Sequence, residues 1–151
     1  MNAIARPAVD PGFEPVLAID EFRDLPITGV AECDGQPYYF ERLFDYDNDV
    51  YSSTFVLTPL DAATFEASLE RHQLHARWYA AFQAGQIKLI THPTFPEDRE
   101  RYLHLKKLCD EAIAAAEPRS VQKTGNMIPL GSLPHNGRHQ APWQVSWSTT
   151  I

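Results

Sequence analysis

Residues 27–85 constrain the fold more than any other stretch, because they combine a hairpin signal with a change of hydrophobic period. Ile27-Thr-Gly-Val-Ala-Glu-Cys33 is rich in strand formers and runs into Asp34-Gly35. Asp-Gly supports the positive φ angles of a tight two-residue turn, since Gly carries no Cβ to clash. Gln36 to Phe44 reads as the return strand, with Tyr38, Phe40, Arg42 and Phe44 on one face and Tyr39, Glu41 and Leu43 on the other. Large rings on both faces predict that both are partly covered. Asp45-Tyr-Asp-Asn-Asp49 is the next turn, and Val50 to Leu57 the third strand of a β-meander.

At Thr58-Pro59-Leu60-Asp61 the pattern becomes helical. A Thr58 hydroxyl can cap free N–H groups, Pro59 suits the first helical position, and Asp61 favours the positive helix end. No Pro or Gly follows until Gly85, a left-handed stop. The helix carries two apolar stripes, one through Phe65, Leu69, Ala76 and Tyr79, the other through Leu60, Ala67, Leu74, Trp78 and Phe82. Two stripes predict a helix covered on two sides or one that bends near Arg71–Gln73. Ile87 to Ile90 is a brief β-like run. Thr94, Pro96 and Glu97 then open a second, one-sided amphipathic helix ending near Ala116.

The flanks are less regular. Residues 1–15 read as an irregular arm, with Val16 to Ile19 a short strand. Residues 117–151 contain repeated Pro and Gly and read as an arm ending in a strand that alternates Trp143, Val145 and Trp147. The expected architecture is a single α+β domain over residues 1–151. Its core, 16–116, is a small antiparallel meander packed on a long helix with a second amphipathic helix behind.

Length and charge bound the function. A chain of 151 residues is long enough for one cored domain. A formal charge of −7 disfavours nucleic acid and anionic membrane as partners and suits a basic protein. Cys33 and Cys109 are too few for a disulfide framework or a metal quartet, and read as core thiols of a reducing compartment. No secretory leader and no membrane-length apolar run is visible. A cytoplasmic protein is the expectation.

Chemical motifs are sparse. Asp45, Asp47 and Asp49 have the spacing of the first ligands of a calcium loop. Val50 and Val56 stand where that loop needs Gly and Glu. His72 and His75 are three apart on the long helix and form a weak metal pair, without the H-E-x-x-H pattern. His135 and His139 bracket Asn-Gly-Arg. There is no nucleophile elbow and no glycine-rich phosphate loop, and nothing calls for a cofactor.

The binding signals are aromatic. Trp143, Val145 and Trp147 read either as this chain's own core or as anchors for strand addition to another chain. Tyr38, Tyr39, Tyr46 and Tyr51 crowd the meander and offer contact area at low entropic cost. The leading expectation is therefore a non-catalytic module that contacts a basic protein or self-associates. Its partner-binding candidates are Trp143, Val145, Trp147, Tyr38 and Tyr51. The rival is a small hydrolase with a histidine–carboxylate or metal site near His72 and His75.

Overall fold

The structure, a computed structural model, describes residues 8–130 and 142–149. The chain divides into two compact units, one of Met1–Pro59 with Ala116–Ile151 and one of Leu60–Ala115.

The first unit is a closed antiparallel barrel of β1 (Glu14–Phe22), β2 (Pro26–Cys33), β3 (Gln36–Asp45), β4 (Val50–Pro59), β5 (Val121–Pro129) and β6 (Trp143–Thr149). Neighbouring strands pair in chain order. The ring closes where β1 meets β6, with Glu14 opposite Val145 and Val16 opposite Trp143. This corrects the expectation of a small antiparallel meander packed on a long helix, with a second amphipathic helix behind and an irregular C-terminal arm ending in a strand. The meander β2–β3–β4 is half of a ring, and the supposed arm supplies β5 and β6. The reason β5 escapes the sequence pattern is local. Val-Gln-Lys-Thr-Gly-Asn-Met has little apolar alternation, and Gly125 imitates a breaker. In the barrel Gly125 faces the Trp147 ring, where a Cβ would lie 2.6 Å from Cζ3.

Side chains fill the interior. Val16, Ile19, Ala31, Cys33, Phe40, Phe55, Leu57, Met127, Trp143 and Val145 form one buried cluster, with Phe22, Tyr38 and Trp147 packed against it. Phe55 is at its centre, edge-to-face with Phe40 (5.9 Å) and with Trp147 (5.3 Å). Burial of this kind is the main stabilising term, worth about 1.5–3 kcal/mol for each large apolar side chain. The Asp34-Gly35 turn forms with φ of +54° and +77°. Its two N–H groups donate to the Glu14 carboxylate at 3.0 and 2.9 Å, fastening the start of β1 to the β2–β3 turn.

The second unit is a helical hairpin of α1 (Ala62–Gln83) and α2 (Arg99–Ala116). α1 starts later than Thr58 and Pro59 suggest. β3 keeps both residues in the sheet, opposite Tyr39 and Tyr38, and the Thr58 hydroxyl bonds Ser120. Asp61 caps instead, accepting the Thr64 N–H at 2.8 Å. Gly85 follows with φ +75°. Ala67, Leu105 and Cys109 form the hairpin's core, with Leu74 and Ile113 against it. Arg101 of α2 grips both carboxylate oxygens of Glu70 of α1 at 2.7 Å. The run Ile87 to Ile90 is not a strand. Leu89–Thr91 is a single 3-10 turn, and Leu89 and Ile90 point to solvent.

Candidate functional site

The turns β1–β2 and β3–β4 lie at the same end of the barrel, and the second of them builds a surface. Asp45 closes the β3–β4 turn on itself. Its Oδ1 accepts the N–H groups of Asp47 (3.1 Å) and Asn48 (3.2 Å), and its Oδ2 accepts the Asn48 side-chain amide at 2.8 Å. These donors, the Asn48 side chain first, hold the Asp45 carboxyl below its ordinary range. An Asp whose carboxylate accepts its own turn's N–H groups is a turn-former, which accounts for Asp45 at the head of the hairpin loop.

The fixed turn displays aromatic rings. Phe44 is edge-to-face with Tyr46 at 4.9 Å and with Tyr51 at 5.0 Å. Tyr46 remains 87% exposed and Val50 beside it 53%. Large apolar groups held in place yet open to water are the usual makings of a contact surface. The surroundings are acidic. In the two turn segments 20–25 and 45–50, six carboxylates face one guanidinium, Arg23, which is already paired with Glu21 at 3.0 Å.

Beneath this surface β4 bulges. Arg42 is opposite Phe55 and Phe44 opposite Tyr51, so four steps of β4 match two of β3. The Ser52 hydroxyl fills the gap, donating to the Leu43 carbonyl at 2.9 Å and accepting the Thr54 N–H at 3.1 Å. Arg42 completes the repair from inside. Its guanidinium donates to the Pro26 carbonyl (2.9 Å) and the Ser52 carbonyl (3.0 Å), and rests 4.4 Å over the Phe55 ring. Only 6% of Arg42 is exposed, and Nη2 has no hydrogen-bond partner among the described residues. Burial pulls its pKa down to about 10. Sequence alternation placed Arg42 on the same face as Phe40 and Phe44 but gave no sign of this role. An Arg among inward-facing rings was the available signal.

The other expected site residues are dispersed. Trp143 and Val145 are buried inside the barrel, and Trp147 covers Phe55 while its indole N–H donates to the Glu32 carbonyl at 2.8 Å. Tyr38 packs against the same core, and Tyr51 stands in the hairpin's aromatic group. His72 and His75 belong to the helical unit. His75 bonds the Pro93 carbonyl through Nδ1 at 2.8 Å and stacks on Trp78. The imidazole beside it is His92, 5.6 Å away between centroids. Burial, and then His75, depress the His92 pKa. His135 and His139 lie outside the described residues.

Among the described residues one trio of ligand-type atoms converges, from Glu14, Cys33 and Asp34. Its chemistry fits a cation poorly. The Glu14 oxygens already accept the turn's two N–H groups, and burial raises the Cys33 pKa away from thiolate. Cys109 is also buried and free. No helix among the described residues is long and apolar enough to cross a membrane. Comparisons with protein families, with characterised proteins and with solved structures returned no match.

Proposed function

We propose that this protein is a non-catalytic, cytoplasmic binding module whose β3–β4 hairpin recognises a basic segment of another protein. The observation that carries the reading is Tyr46, which is nearly fully exposed yet locked edge-to-face on Phe44 above a turn closed by Asp45. A preorganised ring loses little freedom on binding. Asp47 and Asp49 belong to the same turn, and the local excess of carboxylate agrees with the chain's charge of −7. Lysine or arginine side chains would meet carboxylates and aromatic faces together, the second contact adding about 0.5–1 kcal/mol at an exposed site.

Titration calorimetry with a short lysine-rich peptide tests this. Binding is expected to weaken as salt rises, and to fall about tenfold or more in Tyr46→Ser and in the Asp47→Asn, Asp49→Asn pair. Equal affinity for an acidic peptide of the same length, or indifference to those substitutions, would refute the reading.

A further inference from the structure

The barrel is closed at one end of the β4–β5 seam and unpaired at the other. β4 pairs with β5 only from Thr54 to Leu57, against Val121 to Thr124. β5 then continues from Gly125 to Pro129, matched residue by residue with β6 from Trp147 to Trp143. Among the described residues, no strand pairs with the β4-facing flank of Gly125–Pro129 or with the β5-facing flank of Val50–Ser53. The bulge explains why. Ser52, Ser53 and Thr54 all stand opposite Leu43, and such an insertion bends the strand. Beyond it the hairpin leaves β5.

An unpaired strand flank presents N–H and C=O groups at alternate residues, which is a template for another strand. Asn126 and Ser53 are exposed at this seam, and Val50 is half open. Pro129 lacks an N–H, so the useful flank ends at Ile128. The single acidic turn carrying Asp45, Asp47 and Asp49 runs directly into Val50–Ser53 at the opening.

We propose that an extended lysine- or arginine-bearing segment of a partner protein adds as a strand along Gly125–Ile128 of β5, beside the bulged end of β4. The inference rests on the basic-partner reading above and specifies the conformation the partner adopts. Main-chain pairing would supply general affinity, while alternate side chains meeting the acidic, aromatic hairpin would select the sequence.

Two peptides separate the claims. One alternates lysine with valine. The other has the same side chains but N-methyl groups on every backbone nitrogen of its central residues, which removes the ladder donors of both edges. The plain peptide is expected to bind at least about tenfold tighter than its methylated twin and to slow exchange of the Gly125–Ile128 amides that point away from β6. Equal binding of the two would overturn strand addition and leave the basic-partner reading standing. Failure of both would defeat the reading itself. Strong protection, in the protein alone, of those Gly125–Ile128 amides that point away from β6 would mean that the chain or a second copy already fills the flank, and would also overturn the inference.

Discussion

Trp147 lies across its cross-strand partner Gly125, so closely that a methyl group on Gly125 would stand 2.6 Å from one ring carbon and 3.0 Å from Phe55. The glycine is there because the indole needs its space. Covering a strand glycine with an aromatic ring restores the packing that the missing side chain forfeits.

Gly125→Ala is therefore expected to destabilise the barrel by about 1–3 kcal/mol, the cost of overpacking a filled interior. Trp147→Leu should lower stability by itself, yet lessen the effect of Gly125→Ala when both are present. A double-mutant cycle in urea reads the coupling. Strict additivity would show that the ring and the glycine do not constrain one another.

Arg42 tests the bulge. Arg42→Met removes the buried charge but strands the Pro26 and Ser52 carbonyls, and an unmet buried acceptor costs about 1–3 kcal/mol. A net loss of that order is expected. Arg42→Lys should do no better, because an ammonium on a flexible stem lacks the planar fork that reaches both carbonyls. A Met variant as stable as the parent would show that water can replace the guanidinium.

The Glu14 carboxylate gives a local prediction. Glu14→Ala leaves the Asp34 and Gly35 N–H groups without their acceptor. Hydrogen exchange should accelerate at those two amides, while the β3–β4 amides keep their rates. Unchanged exchange at Gly35 would contradict the tether.

His92 sets a pH dependence. Its folded pKa lies below the unfolded value, because burial and neighbouring His75 disfavour the imidazolium. Below the unfolded value near 6.5, the unfolded chain therefore binds more protons. Stability associated with His92 is full at neutral pH and declines as pH falls from the unfolded pKa through the lower folded one. Melting at successive pH values should show that decline in the parent and a flatter profile in His92→Gln. Parallel profiles would exclude His92 as the source.

Local chemistry alone determined several features of this protein. Asp34-Gly35 had to turn, because both of its residues adopt positive φ and Gly meets no steric cost there. The helix had to end at Gly85, and the second near Ala116, for reasons contained within a few neighbouring residues. The aromatic surface was half legible: Tyr46 and Tyr51 stood out, whereas Phe44, which joins them, looked like any strand residue.

Tertiary structure decided the rest. Closure depends on Val16 meeting Trp143 across more than a hundred residues, and no local period encodes such a pairing. The same closure draws Trp143 and Val145 into the barrel, makes a strand of a polar segment by giving it two neighbours, and turns Arg42 into a substitute for missing ladder donors. Side-chain type reports what a residue can bury or donate. Which partner receives it is fixed only when distant strands come together and every enclosed N–H and C=O must find its match.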